Sequence, residues 1–171
     1  MKINKKIDKV IPYQKKKTPV AIDVELFGAE KKRLHRPTGK FACVTFTVET
    51  KKNEFDSYIV TNPALLIPTM TQLRDAYWVF HNAMFDIQQL RRWCKVEPRK
   101  MLWDTLIIDR LLWAGWYDLF SLDNLVRRYC HEYMDKAPRK TFEQATELND
   151  EQIHYAVLDG DLLKAEIPAR G

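Results

Sequence analysis

Four acidic residues in three short segments constrain this chain more than any other feature of its sequence. Asp23 and Glu25 lie in VAIDVEL, Asp86 lies in HNAMFD and Asp159 lies in YAVLD. Each is predicted to lie at the end of a strand or on the exposed side of a helix next to one. Four carboxylates gathered by a fold would repel one another and resist burial. Two divalent cations would neutralise them, and a two-metal site suits in-line attack on a phosphodiester. The acids therefore predict a nuclease.

Composition is compatible with this prediction. The chain has 171 residues, of which 46% are hydrophobic, so it is long enough for one domain with a substantial core. Its net charge is +5 although it concentrates acids at one site, so surplus lysine and arginine must lie elsewhere on the surface. Such a charge distribution suits a substrate held by its phosphates.

The cysteines and the apolar segments indicate the compartment. Cys43, Cys94 and Cys130 are far apart and odd in number, with no CxxC or Cys/His spacing, which favours a reducing compartment and no structural zinc. The longest apolar runs are too short to span a bilayer, and the lysine-rich start lacks the apolar stretch of a signal peptide. We expect a cytoplasmic protein with no membrane partner.

The pattern of apolar residues predicts an α/β fold. Residues 1–18 are polar and basic and are expected to be a flexible tail, followed by a single domain over 19–171. Strands are predicted at 20–27, 41–49 and 55–60, joined by short loops as in an antiparallel meander.

Helices and short strands then alternate to the end of the chain. Strand YWVF precedes helix MFDIQQLRRWC, and strand KMLW precedes helix TLIIDRLLWAG. Helices SLDNLVRRYC and DEQIHYAVLDGDLLKAE follow. The helix NPALLIPTMTQLRD is expected to start after Asn62 and to kink or split at Pro68. Together these elements predict a mixed five-stranded sheet, with three antiparallel strands and then two parallel ones, flanked by helices.

Each acidic segment also has a purely structural interpretation. Asp23 and Glu25 are two apart on a strand and so leave the same face, but they could also mark a strand end that faces water. Asp86 lies in the first turn of a helix, where the helix dipole favours a carboxylate in any case. Tyr155 and Asp159 are four apart and share one helix face, as in any amphipathic helix. Taken singly, each segment is weak evidence for a site.

The order of the segments resembles a known family. AIDVE, HNAMFD and YAVLD are similar to the three exonuclease motifs of the DEDD superfamily in its tyrosine branch, which includes ribonuclease D and the proofreading domain of family A DNA polymerases. WDTLIIDRLL, SLDNLVRRYCHEYMDK and LNDEQIHYAVLDGDLL also resemble segments of these enzymes. The resemblance covers roughly residues 19–164, and five ordered segments are more specific than any one.

The resemblance implies a ribonuclease H-like fold and a 3′–5′ exonuclease that releases nucleoside 5′-monophosphates. It makes Asp23, Glu25, Asp86 and Asp159 the ligands of two Mg²⁺ or Mn²⁺ ions, and it gives Tyr155 the role of orienting the attacking water. With an ordinary pKa near 10, a tyrosine is a poor general base at neutral pH, so a positioning role is favoured.

Some sequence features depart from the family or are assigned to the substrate. The first motif continues as DVELFG where relatives commonly have DTET, so hydroxyl groups next to Glu25 are absent. Asp104 is expected either to cap its helix or to face substrate, and Lys136 lies in a basic stretch with Arg139 and Lys140 that is either a strand-binding segment or a solvated loop. Candidate contacts to nucleic acid are Leu26, Phe27, His81, Asn82, Asp104 and Lys136.

Two alternatives stay open beside a metal-dependent exonuclease on single-stranded 3′ ends. The same fold could be an inactive module that binds nucleic acid or a polymerase partner, or it could be an endonuclease, although the position of Tyr155 disfavours the latter. DNA is slightly favoured over RNA because the first half is more similar to proofreading domains, whereas the C-terminal stretch is more similar to ribonuclease D. Recognition of a 2′-hydroxyl depends on pocket details that the sequence does not give.

Overall fold

The computed structural model describes residues 2–15, 18–28, 39–52, 54–96 and 102–165, with side chains for all of these except residues 2 and 159–165. The strands are β1 (Lys2–Ile7), β2 (Pro19–Phe27), β3 (Lys40–Lys51), β4 (Glu54–Val60), β5 (Tyr77–Phe80) and β6 (Leu102–Asp104). The α-helices are α1 (Leu66–Gln72), α2 (Ala83–Trp93), α3 (Thr105–Trp113), α4 (Leu122–Tyr129), α5 (Ala137–Thr141) and α6 (Asp150–Ala165).

The strands form one mixed sheet in the order β1-β4-β3-β2-β5-β6. The β2–β3 and β3–β4 pairs are antiparallel, and the β2–β5 and β5–β6 pairs are parallel. This confirms the predicted α/β fold with a meander followed by parallel strands. The prediction of five strands is corrected to six, because β1 pairs in parallel with β4 at one edge of the sheet.

The sixth strand comes from the segment that was expected to be a flexible tail. Residues 2–7 form β1, and the Lys6 ammonium makes a 2.5 Å ion pair with Asp56 on β4. Ile3 packs against a small apolar cluster on the α6 side of the sheet, and Ile11 is fully buried in the main core. The lysines in KINKKI made this segment resemble a solvated tail, and its strand is stabilised by pairing with β4, which is distant in the sequence.

The two faces of β2 pack against different parts of the protein. Every second residue from Val20 to Leu26 enters the main core, which the sheet forms with α1 and α2. Asp23 and Glu25, which alternate with them, and Phe27, which follows Leu26, point to the opposite face, where α6 packs across β2, β3 and β4. The alternation of side chains along one strand therefore separates the core from the acidic side chains.

Two local details differ from the sequence expectation. Asn62 caps the Ala64 N–H as expected, but it starts a 3₁₀ helix (Pro63–Leu65) that passes directly into α1. The change therefore falls before Pro68, which lies in the first turn of α1, where its missing N–H has no partner to lose. The short helix α5 was not expected at all, since its residues had been assigned to a basic stretch.

Helix α3 buries two polar residues and exposes three apolar ones. Thr105 and Asp109 are buried, whereas Ile107, Leu111 and Leu112 are exposed. The Asp109 carboxylate is compensated by Arg128, at 2.5 Å, and by the Tyr129 hydroxyl, at 2.7 Å, so a buried ion pair joins α3 to α4. Within the described residues, no helix combines the length and the apolar character needed to cross a membrane.

Candidate active site

Asp23 and Glu25 lie next to each other on the α6 face of β2. Asp23 is opposite Thr45 and Glu25 is opposite Cys43 on the neighbouring strand β3. The register shifts between Glu25 and Leu26, which leaves Ala42 as an extra residue in β3. Such a bulge bends its strand locally and is common beside active sites. The two acids thus leave the sheet where its pairing becomes irregular.

Asp86 reaches the same place from α2. The parallel pairing of β2 with β5 ends at Ala21 and Val79. Val24 follows this last pair, so its N–H has no acceptor on β5. The Asp86 Oδ1 accepts this N–H at 2.9 Å. A buried N–H without a partner would cost about 1–3 kcal/mol, so Asp86 stabilises β2 by supplying the acceptor that β5 does not provide. Its side chain is only 3% exposed, which places a carboxylate inside the protein directly beside the strand of Asp23 and Glu25.

The electrostatics show that these acids share one pocket. Burial raises the pKa of Asp23 to about 6, although the charge of Arg139 and the N–H of Val24 lower it. Burial, and next the charge of Asp23, raise the pKa of Asp86 well above its ordinary value. Burial and the charges of Glu25 and Asp23 likewise raise the pKa of the Cys43 thiol. The charges of Asp23 and Glu25 therefore act on neighbouring buried groups at one place in the fold.

Tyr155 approaches the site from α6. Its ring is buried in a cluster with Ala42 of the bulge and with Phe142, whose ring centroid is 6.3 Å away. Phe27 stacks on the other side of Phe142, also at 6.3 Å. Asp159 lies one turn after Tyr155 in α6, so the two residues share a face of this helix. The side chain of Asp159 lies outside the described part of the chain.

The turn between β5 and α2 is fixed by Asp104. This carboxylate accepts the N–H groups of Asn82 at 3.0 Å, Ala83 at 2.8 Å and Leu106 at 3.0 Å. It caps α3 and simultaneously holds Asn82 in the left-handed region, at φ 68° and ψ 57°. Of the two roles considered for Asp104, this geometry favours the cap. Asp104 contributes to the site by fixing the start of the helix that carries Asp86.

His81 is held as a neutral ring between the site and α3. Its Nδ1 lies 3.0 Å from the Thr105 hydroxyl. Burial lowers its pKa to about 4, since it outweighs the opposing charges of Asp104 and Asp109, and the charge of Lys136 lowers the pKa further. At neutral pH the imidazole can therefore offer hydrogen bonds but not a positive charge.

Comparison with known proteins now identifies the chain. The family model of 3′–5′ exonucleases matches residues 1–165. The chain belongs to this family. It is accordingly a 3′–5′ exonuclease domain, as the motifs had suggested. No curated protein sequence matches the chain.

Solved structures of several exonucleases share the fold. NrnC of Brucella melitensis is 22% identical, with a TM-score of 0.68, and the match covers 96% of this chain and 79% of NrnC. The EXO domain of Nibbler from Aedes aegypti is 14% identical (TM-score 0.65; 87% of this chain and 75% of that domain). RNase D of Escherichia coli, named as an exoribonuclease involved in structured RNA processing, is 18% identical (TM-score 0.61; 90% and 43%). NrnC has also been solved with Mg²⁺ and with pGG.

The exonuclease pocket has the chemistry of a divalent-cation site. Among the described side chains, no group of three or more His, Cys, Asp or Glu residues is arranged as a metal site, and that set does not include Asp159. However, the Oδ2 atom of the half-buried Asp23 is enclosed without a hydrogen-bond partner, and the carboxylate of the neighbouring Asp86 is buried. Hard oxygen ligands of this kind suit Mg²⁺ and Mn²⁺. The residues present therefore fit the cations that the family uses.

The candidate contacts to nucleic acid are placed unequally. The expected contact of Leu26 with nucleic acid is wrong, because Leu26 is 4% exposed and packs in the main core, on the face of β2 away from the acids. Phe27 lies on the same face of β2 as the acids and is partly exposed.

The Lys136 ammonium pairs with Asp123, which also accepts a hydrogen bond from Ser121. His81 and Asn82 line the start of α2 beside the site. Contacts of Phe27, His81, Asn82 and Lys136 with substrate stay predictions.

Sequence reasoning missed the part that α5 plays in this exonuclease. The carbonyl oxygen of Phe142, directly after α5, accepts the Gly28 N–H at 3.1 Å, and the Thr141 hydroxyl accepts a 2.9 Å hydrogen bond from Gln152 on α6. These contacts close α5 over the end of β2. The available signal was Pro138, whose position two residues after Lys136 is typical of a helix start.

Proposed function

We propose that this domain removes nucleoside 5′-monophosphates one at a time from the 3′ end of single-stranded nucleic acid, using two divalent cations. One observation supports this most directly: the half-buried Asp23 and the buried Asp86 meet at the end of the parallel strands, where the charge of Asp23 raises the pKa of Asp86, in a chain of the 3′–5′ exonuclease family. A site that is unfavourable when empty of positive charge is best explained by a cation that it binds in use.

The proposal assigns a separate task to each motif residue. Asp23, Glu25, Asp86 and Asp159 would hold the cations, and Tyr155, in the tyrosine branch of the superfamily, would orient the attacking water. When bound, the cations supply an activated water and stabilise the charge that develops on the leaving 3′-oxygen. The Val24 N–H fixes Asp86, so this ligand needs no reorientation when substrate arrives. The packing of Tyr155 against Phe142 restricts its ring in the same way.

The substrate is proposed to be an unpaired end with either sugar. The slight preference for DNA expected from the sequence gains no support from the similar structures, since one is named an exoribonuclease and another was solved with pGG. A free 3′ end, a phosphate and space for one unpaired nucleotide are all that the chemistry requires. A polymerase partner is not needed for the proposal, because the acids and Tyr155 belong to this one chain.

A labelled-strand assay tests the proposal. Linear DNA and RNA oligonucleotides, labelled at either end, are incubated with Mg²⁺ or Mn²⁺, and Asp23→Ala serves as the inactive control. We expect 5′-labelled strands to shorten in steps of one nucleotide and 3′-labelled strands to release a labelled 5′-monophosphate first. Chelation of the cations and Asp23→Ala should both stop the reaction. Shortening that survives in Asp23→Ala, or cleavage of a circular single strand, would refute the assignment.

A further inference from the structure

Thr45 on β3 lies beside Asp23 on the face of the sheet that α6 covers. The two residues are directly opposite each other in the antiparallel pairing of β3 with β2, so their side chains leave the same face. On its other side, Thr45 is opposite Ile59 of β4, which packs in a small apolar cluster with residues of α6. Of its two opposite neighbours, Asp23 is therefore the one that can form a hydrogen bond with the Thr45 side chain.

The Thr45 hydroxyl is buried without a hydrogen-bond partner. Thr45 is 0% exposed, and its Oγ1 atom is enclosed in the protein. The Oδ2 atom of the opposite residue, Asp23, is likewise enclosed without a partner. A buried polar group that lacks a hydrogen bond costs about 1–3 kcal/mol. A hydroxyl can donate and a carboxylate oxygen can accept, so the two unpaired groups are chemically complementary.

Side chains at opposite positions on this face of the sheet are close enough to bond. Thr47 and Ser57 are directly opposite each other on β3 and β4, and their hydroxyl oxygens are 2.9 Å apart. The Cβ atoms of opposite residues lie about 4.5–5.5 Å apart in antiparallel sheets, so a change of rotamer in one or both side chains brings the Thr45 hydroxyl to the Asp23 carboxylate. The backbone therefore allows these two groups to form a hydrogen bond.

The position of Thr45 suits a residue that orients a metal ligand. Carboxylates that bind metal ions accept further hydrogen bonds from neighbouring groups, and these bonds orient them towards the ion. We propose that the Thr45 hydroxyl donates such a hydrogen bond to the Asp23 carboxylate when Asp23 binds a divalent cation. Thr45 is then a positioning residue, because it is too deeply buried to touch the substrate itself. This inference rests on the proposed function, which makes Asp23 a ligand of the cations.

Two substitutions of the same kind separate this role from a general effect on the core. Thr45→Val removes the hydroxyl and keeps the branched shape of the side chain. Thr69→Val is the matched control, because the Thr69 hydroxyl is also buried without a partner, in helix α1 on the opposite face of the sheet. Each variant removes an unpaired buried polar group, so without divalent cations both should melt at the same temperature as wild type or above it.

Binding of Mn²⁺ is the measurement that distinguishes the two variants, and the electron paramagnetic resonance signal of the free ion reports it. We expect Thr45→Val to raise the Kd for Mn²⁺ by about 10- to 100-fold, which is the usual effect of removing a hydrogen-bond partner of a metal ligand. Thr45→Ser should recover most of the affinity because it restores the hydroxyl, and Thr69→Val should match wild type. In the labelled-strand assay, the Mn²⁺ concentration that gives half-maximal activity should shift in the same way.

Unchanged Mn²⁺ binding by Thr45→Val, or equal weakening by Thr69→Val, would overturn the inference. A lower melting temperature of Thr45→Val without cations would also overturn it, because the hydroxyl would then stabilise the fold through a bond of its own. In these cases wild type still shortens strands and the proposed function stands. If wild type neither binds Mn²⁺ nor shortens strands, the proposed function itself fails, and the inference fails with it.

Discussion

The Asp86 carboxylate accepts a 2.9 Å hydrogen bond from the N–H of Val24, the residue between Asp23 and Glu25. Two of the three exonuclease motifs are therefore joined directly, side chain to backbone. The same bond supplies an acceptor where the pairing of β2 with β5 has ended. Asp86 is thus both a structural residue of the sheet and a proposed ligand of the cations.

These two roles of Asp86 can be separated by substitution. Asp86→Asn keeps an oxygen for the Val24 N–H and removes a charge whose burial is unfavourable, so without divalent cations we expect stability at pH 8 equal to or above that of wild type, with loss of exonuclease activity. Asp86→Ala leaves the N–H buried without a partner and should in addition reduce the free energy of unfolding by about 1–3 kcal/mol. Denaturant titration and the labelled-strand assay measure the two effects. Full activity of Asp86→Asn would show that Asp86 has only the structural role.

The local pattern was sufficient to predict the central strand and the acids on it. Val20, Ile22 and Val24 alternate with Ala21 and Asp23 in the sequence, and the structure places the two sets on opposite faces of β2. A strand shows this period of two without reference to any partner. The family motifs then supplied the long-range association of β2 with α2 and α6, which periodicity alone could not provide.

The features that were missed depend on contacts that are distant in the sequence. Strand β1 is specified by pairing with β4 and by the bond between Lys6 and Asp56, while its own composition indicates a solvated tail. The position of Leu26 in the core follows from the alternation of β2, which continues past the acids. Helix α5 was missed because its five residues are too few to give a periodic signal.

The stability of the metal-free protein should depend on pH through Asp23. Its pKa in the folded state is about 6, above the ordinary value of 3.8, so the folded protein holds the proton more tightly than the unfolded chain. The contribution of Asp23 to stability is therefore most favourable below about pH 4, decreases as pH rises to 6 and is constant above that. The contribution of Asp86 to stability also decreases as pH rises, because its pKa is raised in the folded state as well.

The neutral variant Asp23→Asn isolates this effect. Without divalent cations, we expect Asp23→Asn to be more stable than wild type at pH 8, by about 1–3 kcal/mol, and the difference to shrink towards pH 4. Added Mg²⁺ or Mn²⁺ should stabilise wild type at pH 8 and have a smaller effect on the variant. Thermal unfolding at both pH values provides the measurement. A variant that is less stable than wild type at pH 8 would contradict the electrostatic account.

The two interpretations of Asp104 differ in what its replacement should change. The carboxylate accepts three N–H groups and is 8% exposed, so Asp104→Asn puts an amide group where one of these donors needs an oxygen. We expect a loss of about 1–3 kcal/mol in the free energy of unfolding, because the cap of α3 or the start of α2 loses its acceptor. If Asp104 bound substrate instead, stability would persist and only KM would rise. Denaturant titration and steady-state kinetics on the same preparations distinguish the two.

The hydroxyl of Tyr155 should affect the reaction more than the fold. In Tyr155→Phe the ring keeps its packing against Phe142, while the group proposed to orient the attacking water is removed. Poor orientation of a reactant costs on the order of 10²-fold in rate, so kcat should fall by about this factor with little change in KM. Tyr133→Phe is a matched control, because Tyr133 is 78% exposed and should tolerate the change without effect. If kcat of Tyr155→Phe equals that of wild type, the role of Tyr155 is confined to packing α6 against the bulge in β3.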